Sequence, residues 1–301
     1  MKTKSLRILL LSLAALFLLA PVTSAAQSDN GKGKSFLWRV QSGTGIVYLF
    51  GSVHMAKTDT YPLPRQVEEG FAAADILAVE ADPGKEMGEE IQQRLVLSAI
   101  YPANDSLQQH LSKETYDLAA AEMERVGIPI EQFFKSKPWF LAMTIEVLEL
   151  LQLGYRPENG IDRYFADKAR GIKEIVELES FDYQIGLLNS FSDKEQELFL
   201  LYTLKDLETM KGGMDELMQA WRTGDAKGIE KIVSRALSEY PETKPIYDKL
   251  YYQRNREMTD RVEQFLKSGK SCFVVVGAAH LVGREGIIEL LKRKGYRVEQ
   301  L

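Results

Sequence analysis

The chain predicts an α/β fold: a mixed, mainly parallel sheet with flanking helices and a large helical insertion. Three observations carry this. Short apolar, β-branched runs, Ile46-Val47-Tyr48-Leu49-Phe50 and Phe273-Val274-Val275-Val276, read as buried strands, and each runs into a Gly-x-x-His turn, Gly51-Ser52-Val53-His54 and Gly277-Ala278-Ala279-His280. Strand, helix and strand follow one another between residues 46 and 80, the order of a parallel βαβ unit with a right-handed crossover. Helical patterning then fills approximately 85–158 and 192–269, leaving the remaining strands to either side.

Taken in order, the chain opens with a leader. Lys2, Lys4 and Arg7 precede an apolar stretch from Ile8 to Ala20, followed by Pro21 and small residues through Ala26. This is the layout of a secretory signal peptide over residues 1–26, with a cut after Ala25 or Ala26. The alternative, an uncleaved anchor, is disfavoured because the run is short for a span of about 20 apolar residues, so membrane contact is expected only through an uncleaved leader. A bacterial periplasmic or secreted protein follows, and residues 27–301 are enough for one large or two modest domains. Loss of three leader cations takes the net charge from −5 to −8, which argues against a nucleic-acid partner. The single cysteine, Cys272, excludes an internal disulfide and reads as a small core residue.

Gln27 to Lys34 reads as a polar joint. Phe36-Leu37-Trp38-Arg39-Val40, the turn residues Ser42 to Gly45 and the strand from Ile46 form a hairpin. Pro64 is placed to open a helix through Ala74, because a first turn does not need the amide hydrogen proline lacks. Ile76 to Val79 is the next strand, and Glu80 leaves it at the edge that carries His54. His110, with no strand before it, reads as a surface or helix-start residue. Gly160-Ile161-Asp162 opens a helix, and Lys173 to Leu178 is a strand ending at Glu179, for which a functional role and a helix cap are both open. The methionines at 210, 214 and 218 and the tyrosines at 247, 251 and 252 read as packing residues, and Arg254-Asn255-Arg256 as either a solvated helix face or part of a site. After the last Gly-x-x-His turn a helix is expected from Gly283 to Lys294, and Tyr296 to Glu299 closes the sheet.

Open α/β sheets bind ligands at the carboxyl ends of their strands. That edge carries His54, Glu80 and His280, and two imidazoles with one carboxylate are a ligand set for a catalytic divalent metal. A helix N-terminus beside His280 helps keep that ring neutral, as ligation requires. The chemistry implied is hydrolysis by metal-activated water. His-Glu-x-x-His, Cys-x-x-Cys and Gly-x-Ser-x-Gly are absent, so the familiar zinc-protease and serine-hydrolase motifs do not apply. The competing reading is that both histidines cap turns through backbone carbonyls.

Leu49-Phe50-Gly51-Ser52-Val53-His54, Tyr61-Pro62-Leu63-Pro64, Val79-Glu80, Gly160-Ile161-Asp162, Leu178-Glu179, Arg254-Asn255 and Val276 to Gly283 together resemble the TraB/GumN (Tiki-like) family over nearly all of the mature chain. The Ser52-Val53 pair departs from that family's commonest Gly-Thr-x-His form. The resemblance implies a fold related to erythromycin esterase-like and ChaN-like proteins, and a metal-dependent peptidase acting on a peptide or protein. It implies a divalent transition metal (manganese, cobalt or zinc) at His54, Glu80 and His280, with Arg254 and Asn255 orienting substrate or supporting ligands. Glu179 or Asp162 is expected as a proton shuttle beside Glu80. The alternative from another class is a non-catalytic haem- or peptide-binding regulatory protein.

Overall fold

A computed structural model of the chain describes residues 33–43, 45–86 and 88–301. The leader expected over 1–26 lies outside the described residues. Among those described, one six-stranded sheet forms from β1 (Leu37–Gln41), β2 (Ile46–Ser52), β3 (Ile76–Val79), β4 (Glu174–Glu177), β5 (Ser271–Gly277) and β6 (Arg297–Gln300), in the order β4-β3-β5-β2-β1-β6. The four strands β4, β3, β5 and β2 run parallel, while β1 is antiparallel to both β2 and β6. The mixed, mainly parallel α/β class is therefore the observed one. The βαβ order between residues 46 and 80 holds, but its two strands are not neighbours: β5, from the far end of the chain, lies between them.

That insertion sets the register that matters. Ser52 stands opposite Gly277 on β2 and β5, and Val79 opposite Val275 on β3 and β5, so the three strands end nearly flush. Both Gly-x-x-His turns and Glu80 leave from this edge. Parallel strands need crossovers that cover the sheet, and the two central strands β3 and β5 are accordingly buried in their interiors; Leu77, Ala78, Val79 and Cys272 to Val276 are all inaccessible.

The helices labelled here are α1 (Arg65–Ala73), α2 (Glu89–Ser98), α3 (Lys113–Arg125), α4 (Pro138–Gln152), α5 (Ile161–Ala169), α6 (Phe181–Asn189), α7 (Asp193–Arg222), α8 (Ala226–Glu239), α9 (Arg254–Ser268) and α10 (Ile287–Arg293). Phe71 of α1 and Phe165 of α5 pack their rings 5.7 and 4.9 Å from that of Phe273 on β5, and Phe165 lies 5.7 Å from Phe50 on β2. Each such ring contributes roughly 2–3 kcal/mol by burial. Helix α9 covers β2 and β5 with Met258, Val262 and Leu266 buried. Away from the sheet, α3, α4 and α7 enclose a second core around Met123, Phe133, Leu141 and Leu200. Helix α7 starts at a full capping box, Ser192 with Glu195, which satisfies two of the amides a first turn leaves unpaired.

One local expectation is corrected and one refined. The helix expected from Gly283 begins only at Ile287; His280 sits instead in a single helical turn, Ala278–Leu281, which gives way to extended backbone at Val282 before Gly283 takes a left-handed φ of 83°. His110, expected as a surface or helix-start residue, ends the short turn Leu107–His110 just before α3 but is partly enclosed: its side chain is 17 % exposed, stacks on Tyr101 at 4.2 Å and lies 2.8 Å from Asp105 and 3.3 Å from Asp193. No helix among the described residues is long and apolar enough to cross a membrane.

Candidate functional site

His54 follows β2 and His280 follows β5, one on each of two paired strands. The His54 side chain is 67 % exposed, while His280 is 6 % exposed. What orients them differs, but the outcome is the same. His54 Nδ1 lies 2.9 Å from Asp162 Oδ2, and an ionised carboxylate only accepts, so Nδ1 carries a proton, and in the neutral ring that tautomer leaves the lone pair on Nε2. Asp162 is itself held by the Ser52 hydroxyl, which donates to Oδ1 at 2.7 Å.

This contact depends on Gly160. A Cβ there would lie 2.3 Å from the His54 carbonyl oxygen, so only glycine lets the start of α5 come this close. The Ile161 amide donates to the Val53 carbonyl at 3.1 Å, pinning the same approach.

His280 Nδ1 lies 2.6 Å from Asn255 Oδ1. The amide is oriented by its other end, since Asn255 Nδ2 donates to the Glu285 carbonyl at 2.8 Å. Its oxygen therefore faces the ring, Nδ1 carries the proton, and Nε2 again keeps the lone pair.

Glu80 lies between them. Its Oε1 accepts from the Gly277 amide at 2.6 Å and stands 3.8 Å from His280 Nε2; its Oε2 accepts from Arg254 Nη2 at 2.7 Å. Arg254 also grips Glu179 through Nε (2.8 and 3.1 Å) and Nη2 (2.8 Å), and gives Nη1 to the Leu250 carbonyl. This buried residue is no solvated face. Nor is Glu179 a helix cap, because the Ser180 side chain caps α6 and Glu179 is occupied by Arg254 and Gln184.

Burial alone would raise the Glu80 carboxyl, but His280, Arg254, His54 and the Gly277 amide hold it down at about 2. Burial lowers His280 to about 4, with Arg254 and His54 adding to it and Glu80 opposing. At neutral pH His280 is thus uncharged, and Arg254 is the standing charge that keeps Glu80 ionised. Because His280 sits in one turn only, its neutrality comes first from burial, not from a helix N-terminus as expected.

The three side chains meet at Gly277. A Cβ on that residue would stand 3.4 Å from Glu80 Oε1, 3.4 Å from His280 Cδ2 and 3.7 Å from His54 Nε2. Among the described residues no three His, Cys, Asp or Glu side chains are gathered into a closed metal-binding group. Here both Glu80 oxygens already accept hydrogen bonds, so the trio is adjacent but not drawn in on one point.

All seven residues singled out from the sequence, His54, Glu80, Asp162, Glu179, Arg254, Asn255 and His280, are brought into this one region. Ser52, Gly277, Tyr251 and Glu146 were missed as site residues. The first two sit inside the Gly-x-x-His turns and were legible there. Tyr251, whose ring lies 5.4 Å from that of His280, and Glu146 of α4 carry no local signal.

The model of the TraB/PrgY/gumN family matches residues 36–300. An Escherichia coli (strain K12) relative, "Uncharacterized protein YbaP", is 28 % identical over 251 residues, covering 83 % of this chain and 89 % of the relative. A "Metalloprotease TIKI homolog" of Nematostella vectensis is 22 % identical over 332 residues, covering 93 % of this chain and 70 % of the relative. The Homo sapiens "Metalloprotease TIKI1" is 22 % identical, with 88 % of this chain aligned to 61 % of that protein. No solved structure matches the chain.

Proposed function

The chain belongs to the TraB/PrgY/gumN family, and from that membership we propose that it is a metal-dependent hydrolase cleaving a peptide or protein substrate. The placement of His54 Nε2, Glu80 and His280 side by side around Gly277 carries this reading. The protease half comes from relatives named metalloproteases. A fold kinship with erythromycin esterase-like and ChaN-like proteins belongs to the same proposal.

The donor set fits a divalent transition metal, manganese, cobalt or zinc. Both imidazoles are held through Nδ1, which leaves Nε2 for a ligand bond, and the second oxygen lone pairs of Glu80 remain for a cation. Charge favours it as well: Glu80 and Glu179 share a single Arg254, leaving one negative charge buried beside a neutral His280. When bound, the metal supplies Lewis acidity and an ionised water as nucleophile. Asp162 and Asn255 orient the two imidazoles, and such partners are a known determinant of metal affinity. Arg254 aligns Glu80 and keeps it ionised, and Glu179 holds Arg254 in its fork. With their carboxylates engaged, Asp162 and Glu179 serve here as positioning residues rather than proton shuttles. The protein works in the periplasm or outside the cell, a placement that rests on the leader read in residues 1–26.

The test is metal-dependent turnover. After chelation the protein loses cleavage of a quenched fluorescent peptide library and regains it with manganese, cobalt or zinc; His54→Ala and His280→Ala lose both metal binding by calorimetry and turnover. A protein that cleaves nothing with any of these metals, and instead shows a Soret band with hemin that His280→Ala shifts, belongs to the haem-binding alternative.

A further inference from the structure

Beside the site lies a cleft of about 250 Å³ between α4, α7 and the segment from Tyr240 to Tyr251. Its walls are Tyr202, Tyr240, Tyr247, Tyr251, Met210 and Leu250, all half-buried. Tyr202 and Tyr240 pack at 4.1 Å, and Tyr247 stacks on Tyr251 at 5.3 Å. Two carboxylates, Glu146 and Asp206, also line the cleft, and no Lys or Arg does among the described residues.

We propose that this cleft is the specificity subsite of the hydrolase, taking a peptide in which a large apolar or aromatic side chain stands next to Lys or Arg. This rests on the hydrolase reading above. Continuity places the cleft there. The π-helical turn Asp248–Gln253 runs directly into α9, so one helix lends Tyr247, Leu250 and Tyr251 to the cleft and Arg254 and Asn255 to the site. Residues three and four apart share a helix face, and π-turns recur at functional sites. At the boundary, Tyr251 contacts the His280 ring, while Glu146 is coupled electrostatically to both His54 and Tyr251.

Chemistry sets the occupant. Tyrosine rings and a methionine offer apolar contact to a large side chain and a negative π-face to a cation. Neither the Glu146 nor the Asp206 carboxylate receives a hydrogen bond or ion pair from any described residue. Burial, with Glu239 adding to it, raises the Asp206 carboxyl above its ordinary value. Glu146 is an exposed residue of α4 and Asp206 a half-buried one of α7. A guanidinium or ammonium group entering there is attracted by both carboxylates. A purely apolar ligand leaves two carboxylates unpaired, and an isolated cation leaves the aromatic wall uncovered.

Binding to the metal-free protein tests this by fluorescence anisotropy of three labelled hexapeptides, Gly-Gly-Phe-Arg-Gly-Gly and its Phe-Glu and Ala-Arg counterparts. The Phe-Arg peptide binds at least about tenfold more tightly than either, a difference of about 1.4 kcal/mol. Glu146→Gln, isosteric and solvent-facing, erases the preference over Phe-Glu, and Tyr247→Ala erases that over Ala-Arg. Should Tyr247→Ala not fold, the wild-type comparison of Phe with Ala decides the apolar half. Equal binding of the three peptides, or an undiminished Arg preference in Glu146→Gln, overturns the proposal. Preference without turnover under any metal keeps the subsite and removes the hydrolase reading; turnover without preference does the reverse.

Discussion

Asn255 Oδ1 accepts the His280 Nδ1 proton at 2.6 Å, and this one hydrogen bond selects the tautomer that turns the Nε2 lone pair toward Glu80. Removing the acceptor with Asn255→Ala leaves the ring without that choice. Nitrogen-15 NMR of the imidazole is expected to show a single Nδ1-protonated form in the wild type and a mixture in the variant. Metal affinity by calorimetry should fall roughly 10–100-fold, the usual cost of losing such an orienting partner.

Gly277→Ala separates metal binding from stability. The residue's φ of −50° suits any amino acid, and its new methyl meets Glu80, His280 and His54 at ordinary contact distances of 3.4–3.7 Å. Thermal unfolding should therefore change by less than about 1 kcal/mol. The methyl occupies space between these three side chains, so metal affinity should drop by at least about tenfold, on the scale of losing a ligand's support.

Arg254→Met leaves Glu80 and Glu179 buried together without their cation. Urea unfolding is expected to show a loss of about 3–5 kcal/mol, since an uncompensated buried charge is what makes breaking such a pair costly. Arg254→Lys should recover only part of it, because an ammonium cannot span both carboxylates with the planar fork seen here.

The metal-free protein should lose stability between pH 6.5 and about 4. His280 titrates near 6.5 when unfolded and at about 4 in the fold. The unfolded chain binds the proton first, so the contribution is complete above pH 6.5 and is lost as pH falls toward 4. The loss is about 3 kcal/mol from a shift of this size. Denaturant titrations across this range check it, and the slope should be absent in His280→Gln. An unchanged slope in that variant would assign the effect elsewhere.

Much of the framework was readable because it is locally encoded. The apolar runs that form β2, β3 and β5, the glycines that end two of them, and the Gly160-Ile161-Asp162 start of α5 each depend on a few consecutive residues. Other features had no local signature. The polar Arg254-Asn255 pair reads equally well as solvent-facing or buried, since periodicity shows that two residues share a face but not what covers it. Glu179 was placed correctly at a strand end, yet its partner lies 75 residues away. The enclosure of His110 has no local signal either, because Asp193, one of the groups around it, belongs to the distant helix α7.

The sequence by itself determined the α/β class, the two Gly-x-x-His turns and the residue types available for chemistry, because strand, turn and helix preferences are properties of short segments. Only the tertiary structure decided that β5 slots between β2 and β3, that Ser52 faces Gly277, and that Arg254 bridges two carboxylates beside a neutral His280. Those outcomes depend on which distant surfaces exclude water together. Strand pairing, burial and the charge state that follows from them arise between segments and are not written in any one of them.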